Sequence, residues 1–143
     1  MKEFGRKLFG RRNPGDSKPR VIVFCCDWSS KGDADRVDTA QSKVNARMIR
    51  TMCSGKVDPS FIMKAFASGV DGVMLAMCTR GDCHFLGGNY QAMRRVELLQ
   101  NTLEQFGIAP ERVQLEWVPK ADGSSLQSAV NSFADSIASL GPV

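Results

Sequence analysis

The chain has 143 residues, with 19 basic and 15 acidic side chains, one histidine and a formal net charge of +4. This length fits one domain with a substantial core. No apolar run approaches the roughly 20 residues that a membrane helix requires, and no apolar segment follows the basic N-terminus as a secretory signal would require. We therefore expect a cytoplasmic protein without a membrane span.

The positive charge is concentrated at the N-terminus. Residues 1–20 contain seven basic and two acidic side chains, which leaves the rest of the chain near neutral. Nucleic-acid binding requires a basic face on the folded domain itself, and this pattern does not provide one. We predict a basic N-terminal arm over residues 1–20, either solvated or docked on an acidic partner surface, and one domain over residues 21–143.

Four apolar runs have the composition of strands. The first is a continuous apolar run of the kind found in strands that are buried on both faces, and the last alternates apolar and polar residues. Residues 33–43 are polar and predict a long loop beside the residues that follow the first strand. The predicted strands are Val21–Phe24, Val44–Met52, Val73–Met77 and the stretch from Val113 to Val118.

Three helices are predicted between and after these strands. Asp58 is expected to cap a helix that starts at Pro59 and stops near Gly69. A long helix is expected over residues 90–106, with Asn89 as its cap, and a last one over residues 124–140. Apolar residues recur on their buried faces: Ile62, Ala65 and Phe66; Met93, Val96, Leu99, Leu103 and Phe106; Leu126, Val130, Phe133, Ile137 and Leu140. The order predicts an α/β fold with an open, mostly parallel four-stranded sheet and covering helices.

The cysteines all follow predicted strands. Thiols stay reduced in the cytosol, so a disulfide framework is not expected. In parallel sheets the carboxyl ends of the strands share one edge, where ligands bind. Chance burial explains single cysteines well but explains poorly why all five fall at this edge. They are Cys25 and Cys26 after the first strand, Cys53 after the second, Cys78 after the third and Cys83 in the adjoining loop.

A group of thiolates needs a positive counter-charge, which iron or zinc supplies. Structural zinc usually uses cysteines two to four residues apart. The four residues between Cys78 and Cys83 resemble one part of the plant-type 2Fe-2S spacing without reproducing it. Iron-sulfur binding is therefore favoured, and a zinc-stabilised interaction module without a redox role is the alternative. Thiol catalysis is a third hypothesis, but the chain has no Cys-x-x-Cys and the adjacent Cys25 and Cys26 would form a strained disulfide.

The remaining polar residues do not indicate an enzyme. His84 beside a turn is typical of a structural hydrogen bond, and Trp28 and Trp117 are typical of packing residues. Gly87-Gly88-Asn89 precedes a helix, but no phosphate-loop or dinucleotide fingerprint is complete. We expect no catalytic site in this chain.

Several segments together resemble the delta subunit of the methyl-viologen-reducing hydrogenase, a small iron-sulfur family associated with heterodisulfide reductase. The resemblance covers residues 21–142. It lies in Phe24-Cys25-Cys26-Asp27-Trp28, in the stretch from Arg50 to Pro59, in Asp71-Gly72-Val73, in the stretch from Cys78 to His84, in Gly88-Asn89-Tyr90 and in Arg95-Val96-Glu97-Leu98-Leu99.

The resemblance implies a non-catalytic electron-transfer subunit that carries one 2Fe-2S cluster. Its implied partners are a hydrogenase or formate dehydrogenase-type subunit and the flavin-containing subunit of a heterodisulfide-reductase-type complex. No nucleic acid is implied as a partner.

One position departs from the family pattern. Family members commonly read Cys-Cys-Asn-Trp-Cys in the first motif, where this chain ends the motif with Ser29. Either the serine oxygen binds iron or one of Cys25 and Cys26 takes its place. These two lie on opposite faces of a strand, so the choice between them stays open. We expect Cys26, Cys53, Cys78 and Cys83 as ligands, with Cys25 as the reserve.

Overall fold

A single parallel sheet forms the centre of the molecule. The computed structural model describes residues 9–29, 34–40, 43–120 and 123–143. The sheet contains β1 (Arg20–Cys26), β2 (Asn45–Thr51), β3 (Gly72–Cys78) and β4 (Val113–Val118). Its order is β2-β1-β3-β4, and every neighbouring pair is parallel. The predicted fold class is confirmed.

Helices cover both faces of this sheet. They are α1 (Pro59–Ala67), α2 (Gly88–Gln105) and α3 (Gly123–Leu140), and short 3-10 turns occupy Ala34–Arg36, Ser54–Lys56 and Pro110–Arg112. One core layer packs α1 and α2 against the sheet, and the other packs α3 against the opposite face. Every residue of β1 and β3 is buried because these central strands are covered on both sides.

The start of α1 follows its sequence signals closely. Asp58 accepts a hydrogen bond from the Ser60 backbone N–H at 2.7 Å, and Pro59 occupies the first turn. Ile62, Ala65 and Phe66 form the buried face, as predicted. Gly69, with φ +86°, lies just after the end of the helix.

Two terminal helix residues do not have the predicted burial. Phe106 is 68% exposed and Leu140 is 42% exposed. Phe106 directly follows the last residue of α2, and Leu140 is the last residue of α3. The helical period alone predicts burial at these positions, but a residue at a helix end has fewer neighbouring turns to cover it.

The predicted cap of α2 is also wrong. The helix begins at Gly88, and Asn89 lies inside its first turn with no exposed surface. The Asn89 side-chain amide instead donates to the carbonyl oxygens of Cys78 and Thr79, both at 3.1 Å. Asn89 therefore fixes the end of β3 against the start of α2.

The described part of the N-terminal arm contacts the domain. Arg20 is 3% exposed and begins β1. The Arg12 guanidinium pairs with Asp71, which also accepts the Arg20 backbone N–H at 2.7 Å and the Val143 backbone N–H at 2.8 Å. Residues 1–8 of the arm lie outside the described residues, as do residues 33, 41 and 42 of the predicted loop. None of the helices in the described ranges combines the length and hydropathy needed to cross a bilayer.

Candidate functional site

Four of the five thiols meet at the carboxyl edge of the sheet. Cys26 ends β1, Cys53 follows β2, Cys78 ends β3 and Cys83 lies in the loop between β3 and α2. The Sγ atoms of Cys26 and Cys78 are 3.5 Å apart. Cys53 and Cys83 are hydrogen-bonded to each other, and the charges of the two pairs interact across the site. The thiols thus form two adjacent pairs.

Cys25 points into the other core layer. It is fully buried among the apolar residues under α3, and its Sγ lies 3.8 Å from the Val23 carbonyl oxygen. Successive side chains of a strand point to opposite faces, so Cys25 and Cys26 cannot both reach the same edge site. Packing of α3 on one face and of α1 and α2 on the other decides which of them faces the remaining thiols.

The environment of each thiol sets its acidity. Burial, reinforced by the hydrogen bond and charge of Cys26, raises the pKa of Cys78 to about 12, while Ser29 acts in the opposite direction. Burial also raises the pKa of Cys53, against a hydrogen bond from the Gly55 backbone. At Cys83 burial opposes ionisation, but backbone hydrogen bonds outweigh it and lower the pKa.

Those backbone donors come from the start of α2 and from the loop that precedes it. The N–H groups of Asn89, Phe85 and Gly88 donate to Cys83. No side chain caps this helix at Gly87. The first N–H groups of a helix have no partner within it, so a sulfur at this position satisfies donors that otherwise need a cap.

Two glycines allow these elements to approach closely. A Cβ atom built on Gly88 would lie 2.2 Å from Cys53 Sγ and 3.4 Å from Cys83 Sγ. A Cβ on Gly55 would lie 2.8 Å from the Gly88 Cα. These distances leave no room for a side chain at either position. The turn at Ser54–Lys56 and the first turn of α2 can therefore pack around Cys53 and Cys83 only because both residues are glycine.

Ser29 is a buried polar neighbour of the other pair. It is 1% exposed. Its hydroxyl lies 3.4 Å from the Cys26 carbonyl oxygen and also hydrogen-bonds the Cys78 thiol. A distance of 3.4 Å is long for an O–H···O bond, and a thiolate is the stronger acceptor because it is charged.

Aromatic rings from two loops stack beside the thiols. The rings of Trp28 and His84 are parallel, with centroids 3.5 Å apart, and Phe85 packs edge-on against both. Trp28 is 43% exposed, so it is not the packing residue that the sequence indicated. His84 contributes a ring stack, where the sequence indicated a structural hydrogen bond. Together with the exposed Met52 and Leu86, these rings form what we term the apolar rim of the site.

The donor set suits soft metals. Thiolate ligands select zinc, copper(I) or iron-sulfur clusters over hard cations. Within the described ranges, no three His, Cys, Asp or Glu side chains come together in the manner required to hold one metal ion. The arrangement of sulfurs in two pairs is therefore the main geometric feature that a bound group has to match.

Comparison with known proteins identifies the family. Residues 21–141 match the family model described as "Methyl-viologen-reducing hydrogenase, delta subunit". This chain belongs to that family. The resemblance inferred from the sequence motifs is confirmed.

Curated relatives of this delta-subunit family member fall into two kinds. An F420-non-reducing hydrogenase vhc iron-sulfur subunit of Methanococcus voltae is 44% identical over 87% of this chain and 88% of its own length. An F420-non-reducing hydrogenase iron-sulfur subunit of Archaeoglobus profundus is 37% identical over 87% of this chain and 93% of its own length. A ferredoxin/F(420)H(2)-dependent CoB-CoM heterodisulfide reductase subunit of Methanosarcina acetivorans is 33% identical, but the match spans only 16% of that protein.

Sequence reasoning overlooked three residues of this delta-subunit site. The sequence assigns no role at the site to Gly55 or Gly88, although each lies within five residues of a cysteine, and glycine can mark a close approach of two backbones. Asn89 was assigned to a cap. Its role at the end of β3 depends on a contact between residues 11 apart in sequence, which no local pattern reveals.

Proposed function

We propose that this chain carries one 2Fe-2S cluster on Cys26, Cys53, Cys78 and Cys83 and acts as a non-catalytic electron-transfer subunit. The single observation that supports this most strongly is the division of the four thiols into two pairs. Each iron of such a cluster takes two cysteines. Sulfurs that share one tetrahedral metal with bonds of about 2.3 Å lie about 3.8 Å apart, close to the 3.5 Å between Cys26 and Cys78.

The position of Cys26 favours it over Cys25 as the ligand from β1. Cys26 lies against Cys78, whereas Cys25 is enclosed in the core beneath α3. With four thiols available, Ser29 is not needed as a ligand, and its contact with Cys78 gives it the role of a hydrogen-bond donor.

The bound cluster would supply one-electron chemistry, and the chain's own residues would hold and adjust it. The four thiolates bind it, buried surroundings limit access of water, and hydrogen bonds to sulfur set its potential. Burial of Cys26, Cys53 and Cys78 at 2–4% exposure fits this task. General acid-base chemistry is not part of the proposal.

The relatives support two kinds of partner. Those that match over most of this chain are named as hydrogenase iron-sulfur subunits, which supports a hydrogenase-type subunit on one side; a formate dehydrogenase-type subunit in the same place is part of the proposal. The heterodisulfide reductase relative includes a region similar to this chain, which supports a subunit of a heterodisulfide-reductase-type complex on the other side; that this subunit contains the flavin is part of the proposal. Electrons would pass between them through this chain.

Metal analysis and spectroscopy on anaerobically purified protein test the cofactor. We expect about two irons and two acid-labile sulfides per chain, as the cluster formula requires, and an S = 1/2 EPR signal after reduction with dithionite. A colourless protein containing zinc and giving no signal would sink the proposal in favour of the zinc-stabilised interaction module.

A pair of adjacent substitutions tests the ligand from β1. We expect Cys25→Ser to retain the iron content and the EPR signal, because its thiol faces the α3 core. Cys26→Ser is expected to lose iron or to change the g-values. The reverse pattern would assign Cys25 as the ligand and contradict the orientation of β1.

The apolar rim provides a test of electron transfer to the flavin-containing partner. Leu86 is 91% exposed next to Cys83, and Leu98 is 70% exposed on α2 without being part of the rim. We expect Leu86→Asp to slow the reduction of partner flavin at least about tenfold, the effect of losing about 1.4 kcal/mol of interaction. Leu98→Asp serves as the matched control and is expected to leave the rate unchanged. Equal rates of flavin reduction in the two variants would show that the apolar rim is not the surface through which electrons reach the partner.

A further inference from the structure

The Cys53–Cys83 end of the thiol site receives several backbone hydrogen bonds. Cys83 collects backbone N–H groups from Phe85, Gly88 and Asn89, and Cys53 receives one from Gly55. At the other end, Cys78 receives the side-chain hydroxyl of Ser29. The backbone donors to Cys53 and Cys83 come from the start of α2, from the loop that precedes it and from the 3-10 turn at Ser54–Lys56.

The position of Gly88 is a second, geometric observation at this end of the site. Its backbone lies so close to both sulfurs that a Cβ atom would be 2.2 Å from Cys53 Sγ. The same residue is the first of an 18-residue helix. The N-terminal end of such a helix carries a partial positive charge of roughly half an elementary charge. The Cys53–Cys83 end is therefore the more electropositive one.

Exposure to solvent follows the same direction. Cys83 is partly exposed, whereas Cys53 is 4% exposed and Cys26 and Cys78 are each 2% exposed, so Cys83 is the thiol nearest to water. An added negative charge is better stabilised near water and fixed N–H dipoles than in an apolar interior.

We propose that Cys53 and Cys83 bind the iron that is reduced, while Cys26 and Cys78 bind the iron that remains ferric. This inference rests on the 2Fe-2S cluster of the proposed function. One electron enters from the donor subunit, or from dithionite in vitro, and one ferric ion becomes ferrous. No bond is formed or broken, and the site gains one negative charge. The backbone N–H groups that surround Cys53 and Cys83 determine which end receives it.

The location of the reduced iron also fixes where electrons leave. Phe85 and Leu86 directly follow the Cys83 segment and belong to the exposed apolar rim. Electron exchange therefore occurs through the Cys83 side, and the Cys26–Cys78 side serves as the buried support of the site.

Proton NMR of the dithionite-reduced protein tests this assignment without any substitution. In a coupled ferric-ferrous pair, β-protons of cysteines on the ferric iron move toward their diamagnetic positions on warming, and those on the ferrous iron move the opposite way. Glycine-selective labelling identifies protons that contact Gly88, the residue pressed against Cys53. We expect the ferrous-type protons to show this contact. Contact of Gly88 with ferric-type protons, or equal behaviour of all cysteines, overturns the inference.

Serine substitutions give a second measurement. An alkoxide ligand favours ferric iron, so it lowers the midpoint potential when it binds the iron that changes valence. We expect Cys83→Ser to shift the reduction equilibrium at least tenfold further than Cys78→Ser, which corresponds to about 59 mV for one electron. A larger shift in Cys78→Ser overturns the assignment. Absence of two irons and two sulfides in the unaltered protein would instead overturn the proposed function, so the two failures are distinguishable.

Discussion

Gly88→Ala should damage the thiol site more than it damages the fold. The new methyl carbon would lie 2.2 Å from Cys53 Sγ. Favourable contacts between heavy atoms lie at roughly 3.5–4.0 Å. The carbon and the sulfur must therefore move apart by a further roughly 1.3–1.8 Å before they reach a favourable contact distance. Metal ligands tolerate errors of only about 0.2 Å, so Cys53 would no longer be placed to bind.

The effect on stability is smaller because two contributions oppose each other. Overpacking of a buried site costs about 1–3 kcal/mol, and alanine is favoured over glycine in a helix by up to about 1 kcal/mol. We therefore expect the metal-free variant to lose about 0–2 kcal/mol of unfolding free energy, a fall in melting temperature of no more than about 15 °C. The protein should still fold.

Anaerobic reconstitution followed by iron and sulfide analysis measures the main effect. We expect Gly88→Ala to bind less than about a fifth of the iron bound by the unaltered chain, given the ligand tolerance above. Gly87→Ala is the matched control, because a Cβ at Gly87 meets no atom within 4 Å and its φ of −145° suits any residue. Full iron content and an unchanged potential in Gly88→Ala would refute the close approach of α2 to Cys53.

Two further predictions concern single polar atoms of the site. Ser29→Ala removes the hydroxyl that bonds Cys78, so the reduction potential should become more negative. The control Ser60→Ala, at the exposed start of α1, should leave the potential unchanged. A more positive potential in Ser29→Ala would contradict this reasoning. In metal-free protein we expect iodoacetamide to alkylate Cys83 first. The pKa of Cys83 is lowered, whereas the pKa values of Cys53 and Cys78 are raised, so the thiolate of Cys83 forms at a lower pH. If mass spectrometry shows that Cys78 is modified first, the predicted order of thiol acidity is wrong.

Much of the fold follows from local patterns. The continuous apolar runs of β1 and β3 predicted strands buried on both faces, and both are fully buried. Asp58 and Pro59 defined the start of α1 because a cap and a fixed φ act within a single turn. Asn89 and Phe106 were assigned incorrectly for the opposite reason. The environment of Asn89 depends on its contact with the end of β3, and that of Phe106 depends on where α2 ends.

The sequence by itself determined that all five cysteines lie at the ends of parallel strands or in the segments that follow them, so that their common edge was predictable from chain order. Tertiary structure alone decided which of Cys25 and Cys26 faces the other thiols. A strand covered by helices on both faces is apolar throughout, so its sequence contains no alternation that tells which residues face α3. Likewise, Gly55 and Gly88 meet only because α2 packs against the turn after β2. The order of strands along the chain placed the cysteines near one edge of the sheet. Packing between distant segments brought four of the thiols together and buried Cys25 in the other core layer.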